Sequence, residues 1–173
     1  MSTTNGLNGV HNVKHKDDAQ NDYMHDLEET IKKLHNATNF NRVASKIKAV
    51  SASPTSIVVE LEIDESHVNS KGTLHGGQTA ALLDIITARA VGVTVKDTPM
   101  VSLELSCSYL LPVKVGESVL IEGIVLKTGR NIAFTEAEFR RKSDNALVAK
   151  GKHTIALLHH LKQQSTGEKV EQF

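Results

Sequence analysis

Residues 76–91, GGQTAALLDIITARAV, decide how the rest of the chain is arranged. Alanine, leucine and isoleucine fall on nearly every face of a helix drawn through this segment. A helix that is apolar almost all round has to be buried almost all round. The sequence therefore predicts a long central helix that other elements enclose.

Strand-like runs lie on both sides of this helix. Two precede it, at 43–50 and 57–63, separated by a turn-like Ser-Ala-Ser-Pro-Thr, and four follow it, at 100–111, 117–127, 132–142 and 147–158. Because the connections are short, we expect neighbouring runs to pair as antiparallel hairpins. The predicted fold class is α+β, with an antiparallel sheet of about six strands around one helix.

The run at 100–111 shows the clearest alternation of apolar and polar residues. Val101, Leu103, Leu105, Cys107 and Tyr109 alternate with Ser102, Glu104, Ser106 and Ser108. Successive strand residues point to opposite faces of a sheet. This run therefore predicts one apolar and one polar face.

Both ends of the chain are polar. Residues 1–22 are expected to form a disordered tail, and residues 162–173 a second polar tail. Between them, Met24, Leu27, Ile31 and Leu34 recur every three or four residues and predict an extra N-terminal helix over 23–37. The folded domain is thus expected at 23–161.

The composition excludes several classes of protein. Twenty Lys and Arg balance twenty Asp and Glu, so no basic field favours nucleic acid or anionic lipid. The single cysteine, Cys107, excludes an intramolecular disulfide and any multi-cysteine metal site. No apolar run approaches the roughly 18 residues of a membrane-spanning helix, so no membrane insertion is expected. We expect a cytoplasmic protein, with the mitochondrion as the alternative, although Asp17 and Asp18 and the lack of arginine make residues 1–22 a poor presequence.

The residues best suited to chemistry lie in NSKGTLHGG (69–77) and at Asp84. Two glycines at a helix start leave backbone N–H groups accessible, and these can polarise a carbonyl oxygen together with the helix dipole. An unpaired Asp84 would be costly to bury within Leu-Leu-Asp-Ile-Ile, so a polar partner is expected. The alternatives are that Asp84 pairs with Arg89 or nearby backbone, that His75 only caps the loop, and that Asn69 only stabilises it.

Other candidate residues carry less information. Cys107 is interpreted as a packed thiol, and Ser102 could be an ordinary polar residue on an open sheet face. The histidines at 159 and 160 lack a carboxylate nearby in sequence and do not suggest a metal site. The loop 127–131, KTGRN, offers two cations and a glycine turn, which fits either phosphate binding or a charged hairpin tip. Motifs for nucleoside triphosphates, dinucleotides and α/β-hydrolase catalysis are absent.

Several sequence blocks, spread over about residues 64–154, together resemble the hotdog-fold acyl-CoA thioesterases of the phenylacetate-degradation type. The blocks are Asn69 with GTLHGG (72–77), ALLD (81–84), VS (101–102), YLLP (109–112), KVGE (114–117), VLKTGR (125–130), AF (133–134) and AKGKHT (149–154). The resemblance implies a hotdog fold, in which an antiparallel sheet wraps around a long helix. It agrees with the fold predicted from periodicity.

The resemblance also implies roles for individual residues. The Gly76 N–H would polarise the thioester carbonyl, Asp84 would act as general base or nucleophile, and His75 would brace the site. Asn69 and Ser102 would place the attacking water. Coenzyme A contacts would carry over to Glu104, Tyr109, Lys127, Thr128, Gly129, Arg130, Asn131 and Ile132. The chain departs from the family pattern after Thr154, where Ile155 and Ala156 replace a basic residue and a histidine, so coenzyme contacts from the last strand are not expected.

Helix geometry adds an inference that does not depend on the family. Gly76 and Asp84 are eight positions apart, which is about 12 Å along one helix axis. They cannot act on one carbonyl together, so two catalytic residues at these positions require a second subunit and at least a twofold dimer. Proteins of the resembled family are commonly dimers of dimers, and the residues leave dimer or tetramer open.

The leading hypothesis is hydrolysis of medium- to long-chain fatty acyl-CoA to free acid and coenzyme A, without a metal or organic cofactor. A non-catalytic acyl-CoA binding or interaction module on the same fold is the alternative. A hotdog hydratase fits poorly, because position 89 is Arg rather than the histidine that would follow such an aspartate. The sequence leaves open the acyl chain length, the choice between aliphatic and aromatic acyl groups, and the role of the N-terminal tail.

Overall fold

A computed structural model describes residues 16–164, with side chains from 22 to 161. Two α-helices and six strands form the domain: α1 (Lys16–His35), β1 (Lys48–Ala52), β2 (Ser56–Glu62), α2 (Gly76–Gly92), β3 (Met100–Tyr109), β4 (Ser118–Thr128), β5 (Ile132–Arg141) and β6 (Leu147–Leu157). Short 3₁₀ turns occupy Phe40–Ala44, Glu65–His67 and His159–Gln164. Of the tails predicted at 1–22 and 162–173, residues 1–15 and 165–173 lie outside the described residues, and residues 162–164 belong to the last 3₁₀ turn.

The central helix is α2, as predicted. It begins at Gly76 after the N-cap His75 and ends at Gly92. Its Leu82, Leu83, Ile86 and Ala90 side chains are buried beneath the sheet, whose inward positions include Ile121, Ala137 and Phe139. Burial of these apolar side chains supplies the main driving force for the fold. The predicted α+β hotdog architecture is confirmed.

The six strands form one antiparallel sheet in the order β1-β2-β4-β5-β6-β3. The hairpins β1–β2, β4–β5 and β5–β6 are confirmed. The predicted hairpin between β3 and β4 is wrong, because β3 pairs with β6 and forms an edge of the sheet.

The chain between β3 and β4 shows why these strands separate. The N–H groups of Leu110 and Leu111 both donate to Val148 O, so the chain stays beside β6 after β3 ends. It then crosses the sheet end, where Val113 O accepts the Leu74 N–H at 2.8 Å and Gly116 N–H donates to Ile63 O at 2.8 Å. β4 therefore starts beside β2 rather than beside β3.

The alternation predicted for β3 is broken by a bulge. The register with β6 shifts between Ser102 and Glu104, so Leu103 is the extra residue. Val101, Leu103 and Leu105 are 47%, 57% and 39% exposed in the single chain. The bulge at Leu103 thus breaks the predicted division of β3 into one apolar and one polar face, and apolar side chains are exposed along a free sheet edge.

Two element boundaries also differ from those expected. α1 begins at Lys16, so residues 16–22 are helical rather than part of a disordered tail. Val43 and Ala44 belong to a 3₁₀ turn, and β1 starts only at Lys48. The Asn39 side chain accepts the Asn41 N–H and caps this turn, which favours a helical start over an extended one. Leu27, Ile31 and Leu34 are buried, which confirms the predicted docking stripe of α1.

No helix within residues 16–164 is long and apolar enough to cross a bilayer.

Candidate active site

The N terminus of α2 presents an unpaired backbone N–H. His75 accepts the Gly77 N–H through Nδ1 at 2.9 Å, and its carbonyl accepts the Thr79 N–H at 3.0 Å. Within the described part of the chain, the Gly76 N–H has no hydrogen-bond partner. It points out of the positive end of the helix dipole and can therefore polarise a carbonyl oxygen. His75 therefore acts as a cap, as one of the alternatives from the sequence predicted. Because it accepts the Gly77 N–H, the Gly76 N–H stays free.

Tyr109, at the end of β3, closes one side of this helix terminus. Its hydroxyl donates to Gly76 O at 3.1 Å, and a Cβ added at Gly76 would lie 3.4 Å from the ring. The resemblance implied a coenzyme contact for Tyr109. In the single chain Tyr109 lies against Gly76, in a different groove from the 128–132 hairpin tip.

Asn69 both shapes the preceding loop and lines the site. Its Oδ1 accepts the Lys71 N–H at 2.9 Å, and its Nδ2 donates to Thr73 Oγ1 at 3.1 Å. Gly72 adopts φ +70° in this turn, a conformation that favours glycine. Asn69 thus stabilises the loop, as one alternative held, and also faces the groove beside Gly76.

A groove of about 360 Å³ opens at this end of α2. Asn69, Gly76 and Tyr109 form its polar side. Its remaining lining is mostly apolar and consists of Leu74, Thr79, Leu110, Leu111, Pro112, Val148 and Ala149. A few polar groups on an apolar wall are typical of sites that bind small molecules.

Asp84 lies two turns further along α2, in a second cluster. Its Oδ1 accepts the Ser102 hydroxyl at 2.6 Å and lies 3.3 Å from His153 Nε2. The side chain is 42% exposed, so the carboxylate keeps access to a substrate. These partners come from β3 and β6, and Arg89, the alternative partner, is not among them.

His153 is a candidate site residue that the sequence interpretation missed. It is 1% exposed, its Nδ1 lies 2.7 Å from Thr87 Oγ1, and its carbonyl oxygen accepts the Thr135 hydroxyl at 2.8 Å. Burial lowers the pKa of His153, although the charges of Asp84 and Glu104 oppose that shift. A neutral imidazole therefore backs the Asp84 carboxylate. The sequence did offer one indication of this role: His153 lies in the AKGKHT block (149–154), at a position where β6 faces the interior.

We expect two buried histidines to make the stability of the fold depend on pH. Burial also lowers the pKa of His67, which lies under the Asn69 loop and accepts the Asp64 N–H. The unfolded chain takes up protons near pH 6.5 while these folded-state groups stay neutral, so the free energy of unfolding should fall as the pH drops below 6.5. Each histidine contributes a slope of up to about 1.4 kcal/mol per pH unit.

Urea titrations between pH 7.5 and 5 measure this slope. His153→Gln should remove about half of it, whereas His25→Gln on the exposed surface of α1 should leave it unchanged. A His153→Gln slope equal to that of the wild type would show that His153 is not held neutral.

The hairpin tip between β4 and β5 forms a third group of predicted residues. Lys127, Thr128, Gly129, Arg130, Asn131 and Ile132 are all exposed there. Neither Lys127 nor Arg130 forms an ion pair with another described residue. Glu104 is exposed on β3, opposite Thr154. The tip is thus available to a ligand and already has the glycine turn expected, with the Gly129 N–H donating to Ile132 O at 2.8 Å.

The single chain therefore holds the candidate residues in two separate clusters. We call Asn69, His75, Gly76 and Tyr109 the glycine half-site, and Asp84, Ser102, Thr87 and His153 the aspartate half-site. Asn69 and Ser102, which the resemblance placed on one water, belong to different halves. Among the described side chains, no group of three or more His, Cys, Asp or Glu is arranged to hold a metal ion.

Comparisons with known proteins point to one family. The sequence pattern of the Thioesterase superfamily matches residues 71–148. Human acyl-coenzyme A thioesterase 13 is 42% identical over 128 residues, which is 74% of this chain and 91% of the relative. A Caenorhabditis elegans protein with only a provisional designation as an esterase is 60% identical over 126 residues, 73% of this chain and 75% of the relative. The crystal structure of zebrafish thioesterase superfamily member 2 superposes with a TM-score of 0.75 at 36% identity, covering 78% of this chain and 97% of that chain.

Proposed function

The chain belongs to the thioesterase superfamily and is an acyl-CoA thioesterase, and we propose that it hydrolyses medium- to long-chain fatty acyl-CoA at sites shared between two subunits. The observation that carries the proposal is the free Gly76 N–H on one half-site and the hydrogen-bonded Asp84 carboxylate on the other. A carbonyl-polarising donor and a base are the two groups that hydrolysis of a thioester requires. The alternative of a non-catalytic binding module does not fit this family membership.

The separation of the half-sites supports a shared site. Gly76 and Asp84 lie on the same uninterrupted helix, about 12 Å apart along its axis. One thioester carbonyl, with its attacking water, spans only a few ångströms. The donor and the base that serve one substrate therefore come from different subunits.

The free edge of β3 supplies a surface on which two subunits can meet. Its outer backbone groups face no other strand among residues 16–164, and the apolar side chains of Val101, Leu103 and Leu105 are exposed along it. If two copies pair antiparallel about a twofold axis through Ser106, and the bulge at Leu103 adds no step to the register, Ser102 of one copy lies opposite Tyr109 of the other. Ser102 belongs to the aspartate half-site and Tyr109 to the glycine half-site, so this pairing would assemble two complete sites.

In the proposed reaction the thioester carbonyl oxygen accepts the Gly76 N–H. Asp84 of the second subunit takes a proton from a water molecule, and the water oxygen attacks the carbonyl carbon. The tetrahedral intermediate then collapses, the carbon–sulfur bond breaks, and Asp84 returns its proton to the sulfur, so that coenzyme A leaves as a thiol and the carboxylate is regenerated. Ser102 holds the carboxylate through its hydrogen bond, and His153 lies behind it at 3.3 Å. Asn69 places the water, and His75 fixes the helix terminus. We propose that this chemistry needs no metal or organic cofactor, because a base and an oxyanion donor suffice.

The groove at the glycine half-site supports a fatty acyl group. Leu74, Leu110, Leu111 and Val148 give it an apolar wall next to the Gly76 N–H. Each methylene buried there contributes up to about 0.8 kcal/mol, so binding should improve as the chain lengthens until the groove is full. Tetramer formation from two such dimers is also proposed, by analogy with the resembled family.

A panel of saturated acyl-CoA substrates from two to eighteen carbons, with phenylacetyl-CoA alongside, tests the substrate class. We expect kcat/KM to rise by about tenfold or more between short and medium chains, because several methylenes become buried. Release of coenzyme A is followed with a thiol reagent. Preference for acetyl-CoA or phenylacetyl-CoA over every fatty acyl-CoA would contradict the proposed substrate.

We propose a cytoplasmic location, with the mitochondrion as the alternative. Cys107 is a free, half-buried thiol whose pKa is raised by burial, which suits a reducing compartment. Microscopy of the full chain tagged at its C terminus distinguishes the two compartments.

A further inference from the structure

A second groove, of about 840 Å³, opens at the edge of the sheet where β3 and β5 begin and β6 ends. Ala156 of β6 forms its floor and pairs with Val101 on one side and with Ile132 on the other. The hairpin tip 128–132 forms one wall. The turn that follows β6, Leu158–His160, forms the other.

Backbone hydrogen bonds fix the position of this turn. The Leu157 N–H donates to Asn131 O at 2.8 Å, and the Leu158 N–H donates to Pro99 O at 2.9 Å. The Leu161 N–H closes the turn on Leu158 O at 3.0 Å. His159 and His160 are therefore held against the hairpin tip by main-chain contacts.

The ionisable side chains that line this groove are all basic. Its titratable lining residues are Arg130, His159 and His160, and no Asp or Glu is among the described residues that line it. The Thr128 hydroxyl and the Asn131 amide add hydrogen-bond donors, and Leu103 and Ile132 add an apolar surface. Cationic donors next to an apolar surface match a phosphorylated nucleotide, which combines anionic oxygens with a flat base.

We propose that His159 and His160 bind the phosphates of the nucleotide end of acyl-CoA and complete the groove that the hairpin tip begins. This proposal rests on the acyl-CoA thioesterase function and extends it to two residues outside the strands. Imidazole N–H groups donate to phosphate oxygens, and their attraction increases when the ring is protonated. The groove reaches the aspartate half-site through Leu103, which follows Ser102 on β3. A ligand seated there can extend its pantetheine arm towards Asp84.

Calorimetric binding to the full chain tests the histidines separately from catalysis. The double variant His159→Gln/His160→Gln should raise the Kd for coenzyme A by about three- to thirtyfold, the range expected for losing two exposed charge-assisted contacts. Its Kd for pantetheine, which lacks the nucleotide, should equal that of the wild type. Arg130→Gln, from the opposite wall, should act in the same direction, and His25→Gln on α1 should have no effect.

Steady-state kinetics supply the second readout. In the double variant KM for acyl-CoA should rise with kcat unchanged, because the phosphates are remote from the bond that breaks. Hydrolysis of acyl-pantetheine should be unaffected. An unchanged Kd for coenzyme A in the double variant, alongside weaker binding in Arg130→Gln, would overturn the role of the histidines while leaving the thioesterase function intact. If the wild type releases no coenzyme A from any fatty acyl-CoA, the proposed function is refuted, and the binding data still decide the role of the histidines.

Discussion

Asp84→Asn is expected to lower kcat by about a hundredfold to ten-thousandfold, the range for loss of a positioned general base. Asparagine has nearly the same shape as aspartate, and its Oδ1 can still accept the Ser102 hydroxyl. It cannot take a proton from water. The chemical step should therefore fail while the surrounding contacts persist.

The fold of the Asp84→Asn variant should be unchanged. The Asp84 side chain is partly exposed, so the substitution leaves no unpaired buried charge. Asp97→Asn is a matched control, because Asp97 is exposed, lies outside both half-sites and has φ 54°, which asparagine tolerates. Thiol release, circular dichroism and size-exclusion chromatography are measured on both variants. Near-normal turnover by correctly folded Asp84→Asn would remove Asp84 from the mechanism.

Local patterns predicted most elements of the fold. The apolar run 76–91 corresponds to α2, and each of the strands β4, β5 and β6 begins and ends within one residue of its predicted position. These segments are internally consistent: the hydrophobic period, the flanking turn residues and the final burial all agree. Such agreement allows single-sequence interpretation to succeed.

The partner of β3 could not be predicted in the same way. Strand pairing depends on which sheet edge is available, and that is set by contacts far apart in sequence. Here Val148 O holds Leu110 and Leu111 on β6, so a short connection to β4 does not become a hairpin. The bulge at Leu103 likewise could not be predicted, because the alternation of apolar and polar residues in β3 continues through it without a break.

The candidate site was predicted in part. Gly76, Gly77 and Asp84 were recognisable because glycines at a helix start and a carboxylate within an apolar helix are not explained by core packing. The loop residues were recognisable because they lie next to these glycines. His153 was not, because it reaches Thr87 and Asp84 from a strand more than sixty residues away in sequence. The contacts of Asp84 with Ser102 and of Tyr109 with Gly76 similarly exist only once the sheet has formed.

The central claim is that one active site combines the glycine half-site of one subunit with the aspartate half-site of another. Asn69→Ala damages the first half and Asp84→Asn damages the second. Either variant alone should be nearly inactive, because every site in its dimer carries the damage. In a mixed dimer, however, one site would carry both substitutions and the other would carry neither.

The decisive measurement mixes equal amounts of the two inactive variants, dissociates them, lets the subunits reassociate at random and assays thiol release from acyl-CoA. Half of the dimers should then be mixed, and each should contain one intact site of two. Activity should return to about a quarter of the wild-type value, since the two sites of a twofold dimer act independently. Native mass spectrometry of differently tagged subunits confirms the exchange. If exchange is complete and activity stays near zero, each site is built within one subunit, and Gly76 and Asp84 cannot act on the same thioester.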